Sequence, residues 1–139
     1  MRKIRRLMAS YLLFVAAGSA VMSTACAADR SAVELDVEGY AIASCLAAQD
    51  QPYLKDQGDG WASAIIQRSK GAPDAFVAVG TAVKAELAKG DMAVIRSETG
   101  PEKSKPLPIM YCGEIVTAPS VRAAINKAVK KLTPSYRRE

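Results

Sequence analysis

The 139-residue sequence contains no histidine, and this absence excludes several classes of catalyst. A Ser-His-Asp or Cys-His nucleophile needs an imidazole base, and the usual zinc sites are built from histidine and cysteine. Neither glycine-rich phosphate-binding motif occurs, and Gly58-x-Gly60 alone is typical of a turn. A carboxylate pair that cleaves glycosidic bonds remains an alternative, but the acids stand among polar neighbours that do not raise a carboxyl pKa. We therefore predict a protein that is not an enzyme and that holds no cofactor or metal.

The amino terminus predicts export. A basic MRKIRR segment precedes the apolar stretch LMASYLLFVAAGSAVM, and Ala25-Cys26-Ala27 fits the small-residue rule for cleavage. We predict a cleavable signal peptide over residues 1–27 and a periplasmic domain over residues 28–139. One alternative is an uncleaved anchor, although an apolar run of about 15 residues is short for a membrane span. The other alternative is a lipoprotein with its lipid on Cys26.

The formal charge of +5 is largely a property of this leader, which holds four of the 19 basic side chains. Without the leader the domain is close to neutral. The remaining locally basic segment, residues 127–138, is typical of cations that complement a helix carboxyl terminus. Binding to nucleic acid needs clustered cations, so we predict no nucleic-acid partner.

Cysteine is scarce, and its positions are informative. Residues 33–51 carry apolar side chains at helical spacing, with Cys45 on the apolar face and Ser31 and Glu34 placed to form a capping box. Outside the leader the only other cysteine is Cys112. In an exported chain two cysteines favour a disulfide, which would stabilise the fold by about 4 kcal/mol. The alternative is a pair of buried free thiols.

The rest of the chain predicts an all-α single bundle of about five helices with one disulfide and one protruding polar loop. We expect Trp61 to anchor a second helix in the core and Gly80 to mark a close helix–helix approach in a third helix. A short apolar run at residues 92–95 fits either a strand or one buried turn. The expected helices cover residues 60–68 after a turn or helix start at 58–60, residues 74–89, an apolar segment 107–116 around Cys112, and a last helix from Pro119 that stops at Thr133-Pro134.

Residues 96–106 interrupt this helical pattern. The segment combines charges, two prolines and a glycine without periodicity, so it predicts a projecting loop. Long polar loops in compact domains are usually functional, and a loop held at both ends has less entropy to lose on binding. An inhibitor or binding module is one interpretation, and a solvated connector is the other.

The order of several residues resembles a known family. Tyr40-x4-Cys45-Leu46-Ala47, then Trp61, then Tyr111-Cys112 and an apolar last helix are similar to the periplasmic immunity proteins that neutralise type VI-secreted peptidoglycan amidases of the fourth class. The resemblance covers nearly the whole domain. It implies an all-α fold, a homodimer, and a loop that plugs the substrate groove of a Cys-His amidase.

The resemblance also assigns the partner-binding loop to residues 96–105. Its expected contact residues are Arg96, Ser97, Glu98, Glu102, Lys103 and Lys105. Carboxylates among them would accept charge-assisted hydrogen bonds from an imidazole or from groove amides. The alternative function is a non-enzymatic, envelope-associated helical module, anchored to lipid through Cys26.

Overall fold

The computed structural model describes residues 30–90, 92–96, 98–100 and 104–137. The predicted signal peptide, including Cys26, lies outside these residues. The described chain is a bundle of five α-helices with one small antiparallel sheet, which confirms the predicted fold class. In chain order the elements are α1 (Ala32–Ala47), α2 (Pro52–Arg68), α3 (Asp74–Leu87), β1 (Val94–Ile95), β2 (Lys105–Pro106), α4 (Pro108–Glu114), a short 3-10 helix (Ile115–Thr117) and α5 (Pro119–Tyr136).

Helix α1 is the central element, because α2, α3, α4 and α5 all pack against it. The predicted capping box is confirmed: the Ser31 backbone N–H donates to the Glu34 carboxylate over 2.8 Å, and the Glu34 N–H donates to the Ser31 hydroxyl oxygen. Such a cap stabilises a helix by about 1 kcal/mol. The helix ends at Ala47, four residues before the predicted limit, because Gln49 turns back to hydrogen-bond the Cys45 carbonyl.

The predicted disulfide between Cys45 and Cys112 is also confirmed. The two Cα atoms lie 5.5 Å apart, and both cysteines are fully buried. The bridge joins α1 to α4 across 67 residues of sequence. A helix late in the chain is therefore fastened covalently to the central helix.

The second helix is confirmed over residues 60–68, but its predicted start was wrong, because α2 runs without a break from Pro52 through Gly58 and Gly60. Gly58 lies directly against the backbone of α1: a Cβ atom there would stand 2.2 Å from the Ala47 nitrogen and 2.7 Å from the Ala43 oxygen. The missing side chain allows the two helices to touch. The close approach expected at Gly80 is not found, because a Cβ there would meet its nearest neighbours at an ordinary 3.7 Å.

Trp61 is not the core anchor that its spacing indicated. Trp61 is 40% exposed, and its ring lies next to Gly39 on α1, where a Cβ atom would stand 3.3 Å from it. Ile65, one turn later, is fully buried. Helix α2 packs mainly on α1, so only one narrow face of it is covered. A tryptophan beside that face is therefore half in solvent.

The apolar core lies between α1, α3 and α5. The apolar faces of α3 and α5 are buried, and the Phe76 ring meets the Tyr40 ring edge-on with centroids 5.1 Å apart. Helix α5 does not stop at Thr133-Pro134 as predicted but continues to Tyr136, with Pro134 in its last turn. The extra turn is held because the Tyr136 hydroxyl donates a hydrogen bond of 2.7 Å to Asp36 on α1.

Candidate functional site

The predicted polar loop forms a β-hairpin over residues 94–106. Val94 pairs with Pro106 and Ile95 with Lys105, and the Leu107 N–H extends the ladder by donating to the Ala93 carbonyl over 3.0 Å. Proline has no N–H to donate, so it is tolerated only in a short edge strand of this kind. Of the two readings of residues 92–95, the strand is confirmed and the buried turn is wrong.

Three of the predicted contact residues lie in the described part of the hairpin. Arg96, Glu98 and Lys105 are all exposed, so the structure brings three charged side chains to one hairpin. Gly100 has a φ of +146°, which side-chain-bearing residues rarely adopt. Ser97, Glu102 and Lys103 lie outside the described residues.

The two ends of the hairpin are connected to the bundle in different ways. On one side Gly90, with a φ of +78°, ends the segment that follows α3. On the other side β2 is followed within two residues by α4, whose buried residue is the disulfide-bonded Cys112. The strands themselves pair with each other and make little contact with the helices. The hairpin is therefore a projection whose firmest support is α4.

Sequence reasoning missed an apolar surface at the base of the hairpin. Four large apolar side chains on β1 and α4 are exposed, and we call them the apolar shoulder: Val94 (50%), Ile95 (55%), Ile109 (68%) and Met110 (44%). Val94 and Ile95 are consecutive strand residues and so face opposite sides of the hairpin. A signal for it was present in α4. Residues two apart on a helix do not share a face, so Met110 cannot follow Cys112 into the core.

Two acids with clearly shifted pKa values, Glu38 and Asp74, form ion pairs between helices of the bundle. Glu38 on α1 accepts hydrogen bonds from Arg30 (2.6 Å) and from Arg122 on α5 (2.5 Å). Partial burial opposes its ionisation, but these hydrogen bonds outweigh burial and lower its pKa. Asp74 is paired with Lys131, and this hydrogen bond lowers its pKa as well. A general acid would need the opposite shift.

A buried carboxylate joins three helices at the far end of α5. Asp36 accepts two hydrogen bonds from the Arg68 guanidinium, at 2.9 and 2.6 Å, in addition to the one from Tyr136. Burial, together with the hydrogen bond to the Asp36 carboxylate, raises the pKa of Tyr136 to about 12. This network fixes α1, α2 and α5 relative to one another, and every oxygen of the carboxylate is used.

Neither a metal centre nor a membrane span is found in the part of the chain that the structure describes. No group of three or more histidine, cysteine or acidic side chains could hold a metal there. None of the described helices combines the length and the apolar character needed to cross a bilayer. Comparisons with family models, with curated proteins and with solved structures found no match.

Proposed function

We propose that the protein is a periplasmic immunity protein, which binds a type VI-secreted peptidoglycan amidase and blocks its active-site groove with the hairpin. The observation that carries the proposal is the described part of the hairpin: Arg96, Glu98 and Lys105 are exposed, and the two strands pair with each other while making little contact with the helices. The protein would act by occupying the groove, with no chemistry of its own. The signal peptide, the periplasmic location and the homodimer stay predictions of the sequence and of the resemblance.

The stem supports this role because it reduces the entropy lost on binding. Fixing one backbone residue costs about 1–2 kcal/mol, so a free loop would lose much of its interaction energy on entering a groove. Here the β1–β2 ladder and the helix that follows it already restrict the ends of the loop. The charged tip is the part that is left to adapt to the partner.

The chemistry of the tip suits a Cys-His active site. An imidazolium and the backbone amides that line a peptide-binding groove are hydrogen-bond donors, and a carboxylate such as Glu98 accepts from both. Arg96 and Lys105 are exposed in the same hairpin and would complement acidic groups on the rim. A tip with both signs of charge fixes orientation as well as affinity.

The apolar shoulder supports a protein partner rather than a small ligand. Isolated exposed apolar residues are common, but Ile109 and Met110 are adjacent on α4, next to the hairpin, and one residue of β1 is exposed on each face of the hairpin. Protein interfaces combine an apolar centre with a polar, charged periphery. A tip that enters a groove would bring the shoulder against the groove's rim.

The experiment is an inhibition assay on isolated peptidoglycan. Purified protein is mixed with a purified Cys-His amidase of the fourth type VI class, and the released muropeptides are measured by chromatography. We expect stoichiometric inhibition. Undiminished cleavage at a tenfold molar excess, with the amidase encoded beside this gene, would refute the proposal.

A variant and a matched control locate the contact. Replacing Glu98, Glu102 and Lys103 by alanine should weaken inhibition by about tenfold or more, since charge-assisted hydrogen bonds contribute about 1.5–3 kcal/mol each. The control replaces two acids and one base outside the hairpin, namely Asp56, Asp59 and Lys127, which are exposed on α2 and α5. Equal inhibition by the two variants would place the interface elsewhere.

A further inference from the structure

Helix α4 buries one side chain of its own, and the 3-10 helix that follows it directly buries Ile115. Cys112 is the only residue of this seven-residue helix that is buried, and Ile109 and Met110 point into solvent. Tyr111 adds a partly buried contact with the core. An isolated helix of this length is unstable in water, since about 12–15 residues are needed for even marginal stability. The disulfide to α1 is therefore the covalent restraint on α4, and the contacts of Tyr111 and Ile115 with the core act beside it.

The hairpin in turn depends on α4. Its strands make little contact with the helices, and a cleft of about 180 Å³ lies between its base and the body, lined by Ala93, Glu86 and Tyr111 among others. The ladder ends at Leu107, whose N–H bonds to Ala93 immediately before α4 begins. Displacing α4 would therefore displace one whole strand.

The remainder of the bundle does not depend on the bridge in this way. Helices α1, α3 and α5 share an extended apolar core that includes Val37, Phe76 and Ile125. The ion pair between Glu38 on α1 and Arg122 on α5, together with the Asp36 network, adds polar links that do not involve α4. Opening the bridge is thus expected to loosen one region before it unfolds the whole domain.

We propose that the Cys45–Cys112 disulfide is a redox switch that sets the position of α4 and the hairpin. In the dithiol form the bundle core is folded while α4 and the hairpin are loose; in the disulfide form they are fixed. The conformational coupling stands by itself, and its consequence for inhibition rests on the proposed function. The chain would become competent to bind only after it reaches an oxidising compartment.

Closure of the switch is an ordinary thiol–disulfide exchange. One cysteine thiolate attacks a sulfur of a disulfide-bearing oxidant and forms a mixed disulfide, which releases one oxidant thiolate. The second cysteine thiolate then attacks the chain's own sulfur in that mixed disulfide and releases the second oxidant thiolate. The chain loses two electrons and two protons, and the oxidant is reduced to its dithiol.

Gln49 makes the closed state hard to reopen. Its side-chain nitrogen lies 3.7 Å from the Cys45 sulfur and 3.6 Å from the Cys112 sulfur, and it also donates to the Cys45 carbonyl over 2.9 Å. Gln49 is itself buried, so the amide closes over a bridge that solvent does not touch. A reducing thiolate cannot attack a sulfur it cannot approach.

The test compares the full chain with the variant Cys45→Ala plus Cys112→Ala by NMR. We expect residues 108–114 to lose their helical chemical shifts and the contact between Val94 and Pro106 to disappear, while α1, α3 and α5 keep theirs. Trypsin cleavage after Arg96, which precedes Ser97 in the hairpin, should accelerate by about tenfold or more, as for a locally opened segment. An unchanged hairpin and α4 would overturn the proposal.

If that variant unfolds completely, a second measurement still tests the proposal. The folded wild-type protein is reduced with a phosphine under native conditions, and the spectra are followed in time. Signals of α4 must change before those of the core. Simultaneous loss of all signals would show that the disulfide stabilises the whole domain, and it would overturn the proposal. Gln49→Ala should speed this reduction by about threefold or more, and an unchanged rate would remove Gln49 from the device.

A binding measurement separates this inference from the proposed function. The disulfide and dithiol forms are passed over the immobilised amidase used in the inhibition assay. If neither form binds, the proposed function fails while the NMR result still decides the conformational coupling. Equal binding by both forms, with α4 loosened in one, would overturn the claim that the bridge controls competence.

Discussion

Replacing Gly58 by alanine should destabilise the protein, although alanine is the better helix former. The new methyl group would overlap backbone atoms of α1, with the Ala47 nitrogen at 2.2 Å and the Ala43 oxygen at 2.7 Å. Backbone cannot rotate away as a side chain can, so α2 must move outward along its whole contact with α1. That contact holds Ile65, which is fully buried.

The magnitude follows from two opposing effects. Overpacking usually costs about 1–3 kcal/mol, and a clash with backbone belongs at the upper end of that range or above it. The higher helix propensity of alanine returns about 1 kcal/mol. We expect a net loss of about 2 kcal/mol or more in the free energy of unfolding, which is a large part of the total of about 5–15 kcal/mol that small domains possess.

Gly60→Ala is a matched control two residues away on the same helix. A Cβ there would meet no atom within 4 Å, so only the propensity effect remains and the variant should gain about 1 kcal/mol. Urea unfolding measures both, and the midpoints should move in opposite directions with similar slopes. Thermal midpoints should differ by about 12 °C, taking about 4 °C per kcal/mol for a domain of this size. If Gly58→Ala is as stable as Gly60→Ala, the close packing of α1 and α2 described here is wrong.

Two further predictions concern the Asp36 network and the apolar shoulder. Because the pKa of Tyr136 is raised from 10.0 to about 12, its protonated form stabilises the fold below pH 10, and this contribution is lost as the pH rises to 12. Tyr136→Phe should cost about 1–3 kcal/mol at pH 7 and abolish that alkaline loss, as measured by urea unfolding at pH 8–12; a parallel decline in both proteins would contradict it. Replacing Ile109 and Met110 by serine should weaken amidase inhibition by about tenfold at unchanged stability, whereas Val77→Ser, at an exposed position on α3, should not; equal effects would remove the shoulder from the interface.

The parts of the fold that the sequence predicts well are those that depend on signals within one helix. The capping box needs only Ser31 and Glu34, which are three residues apart, and helices α3 and α5 follow from the spacing of their apolar residues. The disulfide is a long-range feature, but outside the predicted leader only two cysteines remain, so the pairing needs no geometry. The predicted export and the count of cysteines were enough to predict the pairing.

The errors have a common physical origin, because each depends on what lies across from a residue. A glycine inside a helix can mark a turn, a contact or nothing, and Gly58, Gly60 and Gly80 differ only in the distance to their neighbours. Trp61 has the spacing of a core residue, yet α2 has a partner on one side only. Pro134 reads as a stop, but a hydrogen bond from Tyr136 to α1 supports one more turn.

The sequence predicts the loop and the disulfide separately, and in the structure helix α4 connects the two. This helix buries Cys112 and exposes Ile109 and Met110. It starts directly after the second strand of the hairpin. A partner that presses on the shoulder therefore pushes on the same element that the disulfide holds. Because both act on one short helix, the energetic effects of opening the bridge and of truncating the shoulder cannot be independent. Under the proposed function, affinity would therefore depend on how firmly α4 is fixed to α1 as well as on the charges at the tip.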